Sequence, residues 1–346
     1  MTRREWLLSA VAVTLQKQRL EEAARLVQQA TDAGEVRAAA LDVRQGRLRF
    51  TRAFGQASGM DTVFVLASIS KPMTATGVMV LADRRELALT DPVRKFIPEF
   101  SGGDKDLVTI QHLLTHTSGL PDMLPENEAL RKRHAPLSEF VAGVCRTPLL
   151  FRPGAKVSYQ SMGILLASEI AQKITQTPFR DFLRREVFLP LGMRQTSLGL
   201  GGRRVEDTAQ CQVEGNADWN WNSIYWRDLG APWGGVHSTA GDVSRFLESF
   251  LAPEGRVLKR ETAAAMISNH TSGLNEAWGL GWMLQPGTFG HGCSRRTFGH
   301  YGATGTVAWA DPENGVHMVL LTTKPADQSR AHLLGPVSDA VAAAAK

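Results

Sequence analysis

Cysteine is scarce in this chain. Cys145, Cys211 and Cys293 stand far apart among 346 residues, so neither a disulfide framework nor a Cys-x-x-Cys metal knuckle can be built. Stability must come from a packed core. Tyrosine is as rare, at positions 159, 225 and 301 alone. No apolar run approaches the ~20 residues of a membrane-spanning helix, which excludes a membrane-embedded body. Charge of one sign is not concentrated either. Lys plus Arg (39) exceeds Asp plus Glu (34) by five, in scattered pairs such as Arg184-Arg185, Arg203-Arg204 and Arg295-Arg296. A nucleic-acid footprint would cluster them, so the excess reads as a solvated basic surface. What remains, 43% hydrophobic and 21% charged, is ordinary for a globular protein. The length predicts one large or two interleaved domains.

Two readings compete at the start of the chain. Arg3-Arg4, then Trp6-Leu7-Leu8 and the weakly apolar residues 9–13, are similar to a twin-arginine export signal and predict a periplasmic or secreted protein. The alternative is a cytoplasmic protein that begins with one amphipathic helix over residues 4–30. Leu7, Val11, Leu15, Leu20, Ala23, Ala24 and Val27 sit at helical spacing there. Residues 36–43 and 47–54 then read as a hairpin around Gln45-Gly46. A β-leaning run at 61–67 flows into Ser68-Ile69-Ser70-Lys71-Pro72 and a helix over 73–85, with Ser70 suited to the N-cap and Pro72 to an early helical position. Residues 87–229 are helix-rich, with helices expected over 160–175 and 178–188. Strand character returns at 278–285, 297–301, 305–311 and 316–323, and a helix closes the chain over 329–345. The pattern predicts an α/β (α+β) fold with a sheet assembled from both termini. The domains are then a leading segment (1–29), an α/β domain (30–86 and 232–346) and an all-helical insert (87–231).

Chemistry starts at Ser68 and Lys71. A serine hydroxyl needs a nearby base to become a nucleophile. Ser-x-x-Lys at a helix start sets the two side chains one turn apart on one face, with the helix N-terminus ready to meet negative charge. Lysine serves as a base only where burial or cationic neighbours lower its pKa. With 20 Ser and 10 Lys, chance supplies ~0.6 such spacings, so the strand-to-helix placement is what lifts this one above noise. A second element is Val157-Ser158-Tyr159-Gln160-Ser161-Met162-Gly163. A phenol beside a cationic lysine can act as general base for Ser68 and later for water, or Tyr159 simply packs beside a helix. The third is Phe298-Gly299-His300-Tyr301-Gly302-Ala303-Thr304-Gly305. An edge strand there could offer the Ala303 N–H to an oxyanion beside the N–H of Ser68. Otherwise it is a glycine-rich turn with a surface histidine.

In this order the three elements resemble the serine β-lactamase and penicillin-binding-protein superfamily. Within it they are similar to the class C β-lactamase-like branch, with family VIII carboxylesterases and D-aminopeptidase-type hydrolases. Leu113-Leu114-Thr115-His116-Thr117-Ser118-Gly119-Leu120-Pro121, Phe151-Arg152-Pro153-Gly154, Pro190-Leu191-Gly192-Met193 and Gly234-Gly235-Val236-His237-Ser238-Thr239-Ala240-Gly241-Asp242 add to the likeness, which runs from about residue 30 to 323. The resemblance implies an antiparallel sheet domain plus a helical domain with the active site between them. Ser68 would be the acylated nucleophile, Lys71 its partner and Tyr159 the general base. Ser68 and Ala303 N–H groups would form the oxyanion hole. Ser161, His300, Tyr301, Gly302 and Trp233 would meet substrate, with Gly302 allowing close approach. No metal or organic cofactor is implied.

Two departures shift the expected substrate. Ser161 stands where the family commonly has Asn, with a shorter reach to a lactam side-chain amide. His300 replaces a Lys that would pair with a lactam carboxylate. Both changes cost an ester less. The expected activity is a serine hydrolase acting on small or medium acyl esters through an acyl-enzyme. The rivals are a D-aminopeptidase, amidase or weak β-lactamase, and a non-catalytic penicillin-binding scaffold. The partner is thus a small-molecule ester or amide, with no nucleic acid. His112 and His116, at metal-pair spacing, read as structural because no third ligand is evident. Trp219, Trp221, Tyr225, Trp226 and Trp233 read equally as a substrate-pocket wall or a packed aromatic loop.

Overall fold

The structure, a computed structural model, describes residues 3–215 and 217–345, with side chains from residue 17 onward. The strands are β1 (Ala38–Gln45), β2 (Leu48–Gly55), β3 (Phe64–Val65), β4 (Ser197–Leu198), β5 (Val236–Ser238), β6 (Phe298–Gly302), β7 (Thr306–Asp311) and β8 (Val316–Thr322). The helices are α1 (Arg3–Asp32), α2 (Ser70–Asp83), α3 (Ile110–Leu114), α4 (Asn127–Lys132), α5 (Leu137–Arg146), α6 (Met162–Thr175), α7 (Phe179–Leu183), α8 (Ile224–Leu229), α9 (Ala240–Leu251), α10 (Arg260–Met266), α11 (Ala326–Ser329) and α12 (Gly335–Ala344).

β8 reads Val-His-Met-Val-Leu-Leu-Thr and is buried at every position, the signature of a strand covered on both faces. It lies central in an antiparallel sheet ordered β2-β1-β8-β7-β6, in register through Leu41↔Leu320 and Val307↔Leu320. The two-residue side-chain period splits its core in two. Leu41, Val43, Val307, Trp309, Met318 and Leu320 pack with Leu20, Ala23 and Val27 of α1 and with Val337 and Val341 of α12. Ala40, Ala308, Val319 and Leu321 face the opposite way, into one core with α2, α6 and α9. That second core joins the sheet to the helical region. The strand order places β6 at the edge of the sheet, bridged at Gly299 by Met283, and β6 is where the candidate site lies.

A small sheet, β3-β5-β4, ties the inserted region back through β4. α2 is buried almost all round, from Ser70 to Leu81, the mark of a central helix. It packs on α6 and on α7, where a Cβ at Gly77 would lie 2.6 Å from Leu183 Cδ2. The sheet is thus flanked by helices on both sides, with strands drawn from both ends of the chain and α3–α8 between them.

Three local expectations need correction. Ser70 does not cap α2. A 3₁₀ turn, Ala67–Ile69, precedes the helix, and the Ser70 hydroxyl instead accepts from Val236 N–H at 3.0 Å. The run at 61–67 pairs only over β3, and the run at 278–285 contributes isolated bridges, Trp278↔Met283 and Met283↔Gly299, because it turns back on itself. The export-signal reading of residues 2–13 falls on side chains outside the described residues. Among the described residues, no helix is long and apolar enough to cross a membrane.

Candidate active site

Ser68, the candidate nucleophile, follows a strained turn. Ala67 has φ +48°, a left-handed conformation that costs a residue bearing a Cβ. Its neighbours hold it there. Leu66 N–H donates to Val236 O at 2.8 Å, and the hydroxyls of Thr304 and Thr306 donate to Val65 O and Leu66 O at 2.8 Å each. β6 closes on the same turn through Gly302. A Cβ at Gly302 would lie 2.2 Å from Leu66 O and 3.2 Å from Ala67 Cβ. The glycine therefore admits the nucleophile's own backbone, where the sequence suggested that it admits substrate.

From this turn Ser68 meets Lys71 across one helical turn. Lys71 Nζ lies 2.9 Å from Ser68 Oγ and donates to Trp233 O at 3.2 Å. The lysine is fully buried. Burial lowers its pKa from 10.5 to about 7, against the opposing pull of the Asp122 carboxylate. A sizeable share of the amine is therefore neutral near physiological pH, as a base requires.

Tyr159 arrives from the inserted region just before α6. The residue is 36% exposed and its ring lies 4.6 Å from Lys71 Nζ, with the hydroxyl in hydrogen-bonding reach of Ser68. The surrounding protein still raises its pKa far above that of an ordinary phenol, and the bond to Ser68 only partly offsets this. Tyr159 thus stays protonated in the resting site. The loop through residues 112–120 fixes the tyrosine. Gln160 N–H donates to His116 Nδ1 at 3.2 Å, Ser118 Oγ donates to Gln160 Oε1 at 2.6 Å, and Ser158 N–H donates to His116 O at 2.9 Å.

Two histidines and a tryptophan complete the wall. His116 lies 4.8 Å from the Tyr159 ring and 4.4 Å edge-on to Trp278; His300 lies 5.9 Å from Tyr159 and 6.0 Å from Trp278. Burial first, and the Lys71 charge second, lower the pKa of His300 to about 3 and push that of His116 well below its usual value. Both are neutral beside the lysine. His116 Nδ1 accepts, so its proton is on Nε2; His300 Nδ1 faces Tyr301 O at 2.6 Å and donates to it. That leaves one Nε2 donor and one Nε2 acceptor, both buried and without a partner among the described residues.

A serine and a depressed-pKa lysine on one helical turn, a tyrosine from an inserted helical region and a histidine on a sheet edge form the constellation. The Beta-lactamase family model matches residues 23–342. The chain belongs to the beta-lactamase family. An Escherichia coli O157:H7 protein named, provisionally, as a D-alanyl-D-alanine carboxypeptidase is 24% identical over 89% of this chain and 83% of its own length. Esterase EstB of Burkholderia gladioli is 35% identical over 46% of each chain. Among solved structures, "EstCE1, a hydrolase with promiscuous acyltransferase activity" covers 97% of this chain, and 99% of its own is covered, at a TM-score of 0.79 and 20% identity. That likeness is one of fold. The chain is a hydrolase of the beta-lactamase superfamily.

Against this family frame the remaining expected site residues divide. Ala303 is exposed directly after β6, beside the nucleophile turn. Ser161 is buried and donates from Oγ to Asp122 Oδ1 at 2.6 Å. Tyr301 is not brought to the cleft. Strand alternation turns it to the far side of the sheet, where its hydroxyl donates to Thr288 O at 3.0 Å and its ring stacks on Phe289. Trp233 serves through its carbonyl, since its ring packs in the core against Phe140 and Trp226. The aromatic stretch around it is braced by Arg131, 4.0 Å over Trp226 and 5.2 Å over Trp219. His112 closes a capping box with Thr109, and His116 serves Gln160, so both have structural partners. The sequence reading missed Trp278 and Asp122. Asp122 follows the Thr-Ser-Gly-Leu-Pro run and could be placed only once the fold set that run against Tyr159.

Proposed function

We propose that the chain is a carboxylesterase that cleaves small or medium acyl esters through an acyl-Ser68 intermediate. The observation that carries this reading is the 2.9 Å contact between Ser68 Oγ and the buried amine of Lys71. In the proposed sequence, neutral Lys71 takes the Ser68 proton as Oγ attacks the carbonyl carbon. The oxyanion is met by the N–H groups of Ser68 and Ala303. Tyr159, held as a phenol, gives its proton to the departing alcohol and is reprotonated from the Lys71 ammonium. Water then repeats the sequence on the acyl-enzyme, with Lys71 and Tyr159 in the same roles. This assignment makes the lysine the base and the tyrosine the proton carrier, the reverse of the emphasis that the family resemblance implies. A phenolate would be too costly in this environment.

Ester substrates are favoured over lactams because His300 is neutral and Ser161 is already engaged by Asp122. One observation favours a second reading, amide or D-amino-acid peptide hydrolysis. A protonated Tyr159 is what an amine leaving group needs. Side-by-side turnover of p-nitrophenyl butyrate, a chromogenic cephalosporin and a D-alanyl peptide decides between them. The ester should have the highest kcat/KM, abolished in Ser68→Ala. Faster turnover of the peptide or cephalosporin would overturn the assignment, and a stable penicillin adduct without hydrolysis would indicate a binding protein.

A further inference from the structure

Asp122 has features that the proposed chemistry does not use. It is exposed, on the loop between α3 and α4. Its backbone carbonyl accepts from Ser161 N–H at 3.2 Å, and its Oδ1 accepts from Ser161 Oγ at 2.6 Å. Those two bonds lock the carboxylate beside the turn that carries Tyr159. Oδ2 is left without a hydrogen-bond partner, and Asp122 forms no ion pair among the described residues. Its charge reaches both Lys71 and Tyr159.

The charges around it are unusually one-sided. His116 and His300, both buried in the wall, are neutral, Tyr159 is held as a phenol, and Lys71 loses its charge in the form that activates Ser68. In that form the negative charge of Asp122 stands beside the cleft, with a second carboxylate, that of Glu276, accepting from Trp278 Nε1 at 3.3 Å. A carboxylate that is fixed in place, open to solvent and unpaired will attract a cation and repel another carboxylate.

We infer that Asp122 is an ammonium anchor, so that the site prefers esters carrying a protonated amine near the reacting carbonyl over neutral or carboxylate-bearing ones. This rests on the esterase reading above and narrows it to a substrate class. Oδ2 offers the lone pairs for the ammonium, while Ser161 keeps the carboxylate from turning away.

The test compares kcat/KM for p-nitrophenyl esters of β-alanine, whose amine is protonated, and of butyric acid, its uncharged near-isostere, in wild type and Asp122→Asn. Asparagine retains an oxygen for Ser161, and taking the ratio of the two esters cancels any change in Lys71 basicity. The cationic-to-neutral ratio should fall about fivefold in Asp122→Asn, the size expected for one partly exposed charge pair. The wild-type ratio should also decline as salt is raised, through screening. The salt titration on wild type decides the matter alone if the variant misfolds. A ratio unchanged by the substitution, or by salt, overturns the anchor while leaving the esterase intact, provided Ser68→Ala still abolishes both reactions. Failure of wild type to hydrolyse either ester overturns the esterase reading itself.

Discussion

Replacing Lys71 with Met should make this protein more stable while destroying its activity. The lysine titrates at an ordinary 10.5 when unfolded and at about 7 when buried. Because the folded value is the lower one, the unfolded state binds the proton more tightly, and folding is penalised at every pH below about 10.5. The penalty grows as pH falls from there and is complete below about 7, where it amounts to about 5 kcal/mol at ~1.4 kcal/mol per pH unit. At about pH 9.5 the same linkage leaves ~1.4 kcal/mol, so about 3 kcal/mol separates that condition from pH 6. Methionine fills a similar volume without charge. It withdraws the donor from Ser68 Oγ and Trp233 O, a cost of about 1–3 kcal/mol that hardly depends on pH. Denaturant unfolding of wild type and Lys71→Met should therefore show the variant gaining most at pH 6 and least, or losing, at pH 9.5. A difference that is flat with pH, or larger on the alkaline side, would refute the claim that Lys71 is a desolvated amine.

Three further outcomes follow from the geometry. Gly302→Ala sets a Cβ 2.2 Å from Leu66 O, so β6 must retreat from the nucleophile turn; ester kcat/KM should fall by about 10²-fold, the usual consequence of a small misplacement. Tyr159→Phe keeps the ring over Lys71 but removes the proton carrier. Ester turnover should drop by about 10²–10⁴-fold with little change in thermal stability. His300→Lys adds a cation to the wall, so the cephalosporin-to-ester ratio of kcat/KM should rise about fivefold. An unchanged ratio would mean that the absent cation is not what disfavours lactams.

Much of the site was legible because its parts are local. Ser68 and Lys71 are three residues apart at a strand-to-helix junction, and helical geometry alone puts them on one face. The hairpin at Gln45-Gly46 and the three strands after residue 297 were legible from alternation and turn residues, with limits within a few residues of those observed. Strand alternation also held the answer for Tyr301. If His300 faces the nucleophile, its neighbour must face away. Other features depend on contacts between distant segments. Gly302 matters because residues 66–67, more than 230 positions earlier, run against it. Ser161 is taken by Asp122 across 39 positions, and Trp278 reaches Tyr159 only through the folding of its loop onto the sheet edge. Ser70 misled because the intervening 3₁₀ turn moved the helix start onto it. Protonation states were out of reach for the same reason. Burial sets them, and burial is a property of the assembled core.

The rate at which a fluorophosphonate labels Ser68, followed across pH, tests the central claim most directly. Neutral Lys71 as the activating base predicts a labelling rate that climbs with pH and levels off with a midpoint at about 7. The adduct should map to Ser68, be absent in Ser68→Ala and be lost across the range in Lys71→Arg. A midpoint near that of free lysine, or an adduct on another residue, would contradict the account.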